Sequence, residues 1–232
     1  MTEEIEISVV IPIYRNNKSL LELSARIIKS LDSFKHEIIF VNDNSPDNSL
    51  EILKNLTSKY KQIKHLNLTQ NLGQQKATMQ GLKIAMGKKI VVLDGDLQDR
   101  PELIPRLNNS ISTNKNSVFV KRKGIYQSAN RMVTSVLIKK VVQLISGLHY
   151  KAGSYYMFDS SLLPKVLLVA SKCKYPYLSI IVAHFSSTIN YISANRNKNI
   201  EPSNYNFATR IKAAIMAIYC SFYCSYFKLN PD

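Results

Sequence analysis

Val91-Val92-Leu93-Asp94-Gly95-Asp96-Leu97-Gln98-Asp99 is the stretch whose reading decides the fold of this chain. A short apolar run ends abruptly in three carboxylates within six positions. A buried strand has no use for charge, so the acids belong where the strand emerges, at the carboxyl edge of an open α/β sheet. That edge is where such sheets take ligands. Two Asp separated by one residue repel unless a cation lies between them, and hard oxygen donors suit Mg²⁺ or Mn²⁺ shared with substrate phosphates. A solvated turn is the competing reading, because Asp-Gly is a common turn pair.

Working outward, the first half alternates with a regular beat. Apolar strand-like runs at Ile5–Tyr14, Glu37–Asn42, Ile63–Leu68 and Lys89–Leu93 are separated by helical patterns at Ser19–Ser33, Asp47–Tyr60 and Gly73–Met86. Asp47 is the expected N-cap of the second helix. Pro101–Asn114 reads as a helix with Pro in its first turn, and Ser117–Lys121 as a further strand. This alternation with short connections predicts a doubly wound, mostly parallel sheet with helices on both faces. Beyond Arg122 the pattern changes. It gives a long amphipathic helix over Gln127–Ser146, a short apolar piece at Tyr155–Phe158, helices near Leu162–Ser171 and Leu178–Phe185, a strand at Thr188–Ala194, and an apolar, aromatic close at Phe207–Phe227.

The 232 residues allow one sizeable domain or one domain with an appendage, and 45% hydrophobic with 20% charged residues excludes general disorder. The net charge of +15 is unevenly spread. Residues 1–102 carry 14 basic against 13 acidic side chains, and residues 103–232 carry 17 against 3. The second half therefore seeks an anionic partner: nucleic acid, an anionic membrane surface or a phosphate-rich substrate. Cys173, Cys220 and Cys224 have no metal-finger spacing and form no even disulfide set, which fits a reducing cytoplasm and a packing role. The acidic start, Met-Thr-Glu-Glu-Ile-Glu, is not a signal peptide. His36, His65, His149 and His184 are scattered and receive no catalytic role. Between Lys212 and Lys228 lie 15 residues, short of the ~20 a spanning helix needs. Tyrosines, phenylalanines and basic ends suit the plane of a membrane interface, with a core helix docked on the sheet as the alternative.

Five landmarks in order resemble the inverting glycosyltransferases of family 2 with the GT-A fold. They are Ser8-Val-Val-Ile-Pro-Ile-Tyr14, Val41-Asn-Asp-Asn-Ser-Pro-Asp47, Asn71-Leu-Gly-Gln-Gln-Lys76, Leu93-Asp-Gly-Asp-Leu-Gln-Asp99, and Arg122 with Ala152-Gly-Ser-Tyr155. Within that family the chain is most similar to the polyprenyl-phosphate glycosyltransferases. The resemblance implies an α/β catalytic domain over residues 1–195, with a Rossmann-like sheet. A basic, aromatic membrane-interface segment over residues 196–232 would hold the chain at the cytoplasmic face of a membrane. It implies a nucleotide-sugar donor, UDP ahead of GDP, a polyprenyl phosphate acceptor and no nucleic acid. Exposed aromatics near the end leave room for a homo-oligomer.

The resemblance also distributes roles. Asp94, Asp96 and Gln98 match its metal motif, for Mn²⁺ or Mg²⁺, and Asp99 joins them with Arg122 in the catalytic set. Pro12 and Tyr14 would floor the nucleotide base, and Asp43 would accept hydrogen bonds from base or ribose. Lys76, Gly95, Arg122, Arg131 and Arg196 would lie along the phosphates, where the planar fork of Arg matches phosphate oxygens. Four departures stand out: Asn42 replaces the first of an Asp pair, Arg15-Asn16-Asn17 replaces a Glu, Asn204 replaces a Lys, and Tyr156 stands where an Arg is usual. A missing feature points the same way. A sugar hydroxyl needs a general base, yet only Asp159, Glu201 and Asp232 follow residue 102. A lipid phosphate is already anionic and needs positive charge instead. The alternatives are a family 2 enzyme acting on a glycan hydroxyl, with Asp159 or Glu201 as base, and a nonenzymatic nucleotide-sugar or nucleic-acid binding module.

Overall fold

The computed structural model describes residues 4–111, 116–123, 140, 143–196 and 207–229. Seven strands form one sheet: β1 Ile7–Ile13, β2 His36–Asn42, β3 Ile63–Asn67, β4 Lys89–Val92, β5 Ser117–Lys123, β6 Ala152–Asp159 and β7 Ile189–Asn195. Their order is β3-β2-β1-β4-β6-β5-β7. The helices with both ends among the described residues are α1 Leu20–Ser30, α2 Ser49–Lys59, α3 Gln74–Leu82, α4 Ile104–Ser110, α5 Leu163–Lys172, α6 Leu178–Phe185 and α7 Phe207–Leu229, and residues 143–146 are helical as well.

Both faces of the sheet are covered, which explains why its central strands read as unbroken apolar runs rather than alternating ones. Along β1, Val9 and Ile11 enter the core beneath α1, α2 and α4, while Val10 points to the opposite core, built from α3, α5, α6 and α7. β1 pairs in parallel with β2 and β4, and β2 with β3. The fully buried Glu37 is held by the Ser8 hydroxyl at 2.6 Å, the Met86 amide at 2.7 Å and Lys64 Nζ at 2.8 Å. A buried carboxylate with three donors is a tolerable core group.

The expected doubly wound sheet is present, with one addition. Tyr155–Phe158, expected only as an apolar piece, is the centre of β6, which runs antiparallel between β4 and β5. Tyr155 and Met157 fill one core and Tyr156 and Phe158 the other. Tyr156 stacks on Phe119 with ring centroids 5.1 Å apart, so the position where the family usually has an Arg is core here.

Some boundaries differ from expectation. α2 starts at Ser49 with Asn48 in the cap position, yet Asp47 serves the helix start from one residue earlier: its Oδ1 accepts from the Ser49 amide at 3.1 Å, and its Oδ2 accepts from the Asn17 amide at 3.3 Å. The helix expected over Pro101–Asn114 is a 3₁₀ turn, Pro101–Leu103, followed by α4, which ends at Ser110. Most of the helix expected over Gln127–Ser146 lies outside the described residues. α7 has two apolar flanks. Ala217, Cys220, Cys224 and Phe227 are buried against the core, and Ile215, Tyr219, Phe222, Tyr226 and Leu229 are exposed. Among the described residues, no helix is long and apolar enough to cross a membrane.

Candidate active site

The strand order reverses between β1 and β4, and the crevice outside their carboxyl ends is the place where open α/β sheets bind ligands. The local backbone marks that same edge. Among the described residues, the non-glycine residues with positive φ are Arg15 at 59°, Asn44 at 53° and Leu97 at 57°. They follow β1, β2 and β4 respectively, so every one of them lies on the rim of this crevice. Left-handed backbone at a residue as bulky as Leu is strained, and such strain gathers at functional sites. Gly95 lets the acidic loop pack tightly: a Cβ there would meet Ile13 Cδ1 at 2.7 Å. Ser19 donates to the Gly95 carbonyl at 2.5 Å and so ties the start of α1 to the loop.

Three carboxylates and two guanidiniums converge at this point. Asp94 Oδ1 accepts from Gln74 Nε2 at 2.6 Å, and its Oδ2 accepts a short hydrogen bond from Ser154 Oγ. Arg122 Nη2 lies 3.3 Å from Asp99 Oδ2, 3.8 Å from Asp94 Oδ2 and 3.4 Å from Ser154 Oγ. Arg196 Nη2 lies 3.7 Å from both Asp94 Oδ2 and Asp96 Oδ2, and its Nε lies 3.4 Å from Asp99 Oδ2. Asp99 is the most buried acid, with its side chain 4% exposed, and Asp96 the most open at 35%. Burial raises the Asp94 carboxyl above the usual carboxylate range, the Ser154 hydrogen bond and Arg122 oppose this, and the charges of Asp96 and Asp99 add to it. The like charges are therefore held together by arginines at the mouth of the crevice.

The other expected site residues fall as follows. Pro12 is buried in β1 opposite Val41, and Tyr14 is exposed just past the strand, with the Arg15 guanidinium 5.4 Å from its ring centroid. Asp43 is buried, and its two oxygens accept the Leu72 amide at 2.7 Å and the Gly73 amide at 2.9 Å. It thus pins the Asn71–Gly73 turn, and a carboxylate with about four lone-pair sites keeps capacity for a ligand. Lys76 is exposed on α3. Gln98 donates its backbone amide to Asp96 Oδ1 at 3.1 Å, closing the acidic turn on itself. Arg131, Glu201, Asn204 and Asp232 lie outside the described residues. Sequence reasoning gave no role to Gln74 or Ser154, the two side chains that hold Asp94. Both stand inside the landmark segments, and the usable signal was a polar residue where an element meets the carboxyl edge.

Among the described residues, no group of three or more His, Cys, Asp or Glu side chains is disposed as a metal cage. The donors that are present still fit a divalent cation. Asp96 offers an open carboxylate oxygen, Asp94 stands beside it, and Mg²⁺-type ions commonly take one or two protein carboxylates and complete their shell with phosphate and water.

A mostly parallel sheet with an acidic loop at its switch point is the GT-A architecture, and solved structures of that kind superpose on it. A glucosyl-3-phosphoglycerate synthase from Mycobacterium tuberculosis, crystallised with Mn²⁺, UDP and phosphoglyceric acid, aligns with a TM-score of 0.64 at 17% identity, covering 93% of this chain and 78% of that one. TarS from S. aureus with UDP-GlcNAc aligns at a TM-score of 0.60 and 18% identity, over 92% of this chain and 66% of that one. The family is given by sequence: the model described as glycosyl transferase family 2 matches residues 8–225, and the chain belongs to that family. An undecaprenyl-phosphate 4-deoxy-4-formamido-L-arabinose transferase from Aeromonas hydrophila is 35% identical over 146 residues, 62% of this chain and 45% of that protein. A dolichol-phosphate mannosyltransferase from Pyrococcus furiosus is 41% identical over 106 residues, 46% of this chain and 30% of that protein. The matched region spans less than half the length of either relative.

Proposed function

We propose that this chain transfers a sugar from a nucleotide sugar, UDP-linked in the first instance, to a polyprenyl phosphate, with inversion and with help from a divalent cation. The carrying observation is the charge layout of the crevice. Asp94, Asp96 and Asp99 stand together with Arg122 and Arg196 among them, while Asp159, one of the two carboxylates expected as a base for a hydroxyl acceptor, is elsewhere; the other, Glu201, lies outside the described residues. Asp159 pairs with Lys89 at the amino end of β4, so it sits at the edge of the sheet opposite Asp94. Its Oδ1 caps the 3₁₀ turn that follows, accepting from the Ser161 amide at 2.9 Å. An acceptor that arrives already ionised needs no such base, and both relatives described above are named for lipid-phosphate acceptors.

In this reading Asp96, with Asp94 beside it, holds the cation, and Gln98 shapes the turn that presents Asp96. The cation, when bound, supplies Lewis-acid stabilisation of the charge that develops on the departing nucleoside diphosphate. Arg122 and Arg196 neutralise phosphate oxygens, with Arg131 as a further phosphate contact. Asp43 fixes the turn that walls the nucleoside side, beside Pro12, Tyr14, Gly95 and Lys76. Residues 1–195 form the catalytic unit, to which Arg196 adds its side chain from the next position. In residues 196–232, the exposed stripe of α7 lies on the membrane surface where the lipid acceptor resides. Purified chain given UDP-sugars, Mn²⁺ and undecaprenyl phosphate is expected to release UDP only when the lipid is present. Absence of lipid-dependent release across a panel of UDP- and GDP-sugars refutes the proposal.

A further inference from the structure

Arg122 and Arg196 are held in different ways. Arg122 rises near the end of β5, a strand paired on both sides, donates to Asp99 and Ser154, and has its guanidinium pressed against Gly153. It has little room to move. Arg196 directly follows β7, the edge strand, which pairs only with β5. Its three carboxylate distances, 3.4–3.7 Å, exceed the 2.7–2.9 Å typical of charge-assisted hydrogen bonds. Its buried Nε has no hydrogen-bond partner, as is also true of Arg122 Nε. What sets Arg196 apart is that its contacts with the three acids are all longer ion pairs, whereas Arg122 Nη2 hydrogen-bonds Asp99 and Ser154. The side chain is 14% exposed, so the group is shielded while its ion pairs with the three acids stay long. It neutralises all three acids at once without being locked to any of them.

Charge counting gives this looseness a purpose. Three carboxylates against two guanidiniums leave one net negative charge. A divalent cation added alone overshoots neutrality and must approach a guanidinium already among its ligands. If the cation arrives with a diphosphate, the new phosphate oxygens offer Arg196 a better partner, and the balance is restored. We propose that Arg196 is the built-in counter-ion of the acidic cluster, released to the donor diphosphate when the metal enters, so that metal and nucleotide binding are coupled through this one side chain. The inference rests on reading the cluster as the diphosphate and metal site, and it assigns Arg196 a positioning role in the donor-free protein as well.

The test is Mn²⁺ binding, read from the loss of the free-ion electron paramagnetic resonance signal, with and without UDP. It compares the unaltered chain with Arg196→Gln, Arg196→Met and Arg196→Lys. Circular dichroism melts establish that each variant is folded, and Arg196→Met keeps the stem packing should Arg196→Gln fail. The unaltered chain is expected to bind Mn²⁺ weakly alone and at least about fivefold more tightly with UDP, the low end of an ordinary coupling. The neutral variants should bind Mn²⁺ alone at least about fivefold more tightly than the unaltered chain, with a smaller UDP effect. Arg196→Lys should keep the original pattern. Folded neutral variants that bind Mn²⁺ alone no more tightly than the unaltered chain overturn the counter-ion role while leaving the site intact. Failure of the unaltered chain to bind Mn²⁺ even with UDP overturns the site assignment and the coupling together.

Discussion

Replacing Gly153 with Ala should dislodge Arg122 without disturbing the strand that carries it. A Cβ at position 153 would lie 2.5 Å from Arg122 Cζ and Nε and 2.6 Å from Nη2. Carbon contacts settle near 3.5 Å, so the guanidinium must retreat by roughly 1 Å. Moving towards Asp99 gains only about 0.5 Å, less than the retreat required, because Nη2 stands 3.3 Å from Oδ2 and such pairs settle at about 2.7–2.9 Å. Displacement therefore takes Arg122 beyond ion-pair range of Asp99 and Asp94. Asp99 is almost fully buried and retains only Arg196, at 3.4 Å, so the loss should cost about 1–3 kcal/mol. Gly153 is not in left-handed backbone, and Ala is otherwise favoured over Gly in a folded chain by about 0.4–1 kcal/mol, so any net destabilisation is traceable to the side chain. The assay is urea unfolding followed by circular dichroism, run as a double-mutant cycle with Arg122→Ala. In the Arg122→Ala background the Gly153→Ala change should cost less than about 0.5 kcal/mol. Equal destabilisation in both backgrounds refutes the reasoning, because the clash would then lie with the backbone and not with the guanidinium.

Two further outcomes are expected. Phe222→Ser combined with Tyr226→Ser removes apolar area from the exposed flank of α7, so co-sedimentation with anionic lipid vesicles should fall severalfold while the melting temperature stays within a degree or two; unchanged sedimentation removes α7 as the membrane contact. The bidentate clamp of Arg26 on Glu102, at 2.7 and 3.0 Å, fastens α1 to the turn after the acidic loop. The hydrogen bond from Arg26 draws the Glu102 carboxyl below its ordinary value. A depressed folded pKa stabilises above the unfolded value and is lost as pH falls through the folded one. Arg26→Ala should therefore cost at most about 1 kcal/mol at pH 7, the pair being partly exposed. The difference from the unaltered chain should shrink as pH falls below the ordinary glutamate range. A pH-independent difference in urea unfolding assigns the effect to packing of the Arg stem.

Much of the fold was legible in the sequence. The period of strand and helix in residues 5–93 carries the hydrophobic pattern of a sheet buried on both faces, and β1, β2, β3 and β4 lie where that pattern puts them. The acidic loop was legible because charge immediately after an apolar run has one sensible location. β6 was harder. Tyr155–Phe158 is a continuous apolar stretch, and nothing local distinguishes an inserted antiparallel strand from a buried helix edge or a coil. Asp47 was legible as a group serving the start of α2, one residue before the cap position, since its Oδ1 accepts from the Ser49 amide; its second bond, from the Asn17 amide thirty residues away, is one that no local pattern encodes. Ser154 and Gln74 escaped for the same reason: a hydroxyl and an amide acquire meaning only when a distant carboxylate is brought to them. Arg122 and Arg196 were expected along phosphates, and their closeness to three carboxylates belongs to the assembled sheet.

The reversed strand has one last effect. β5 runs up to the crevice and β6 starts there, with Lys121 beside Ala152 in the ladder. The chain between them, residues 124–151, thus leaves and re-enters at the same rim, anchored at both ends by a framework that does not depend on its length. Extra or altered residues grafted there would leave every strand threaded as it is. The scaffold therefore separates the acidic cluster, held by the loops at the carboxyl edge, from a connection whose length the sheet does not fix.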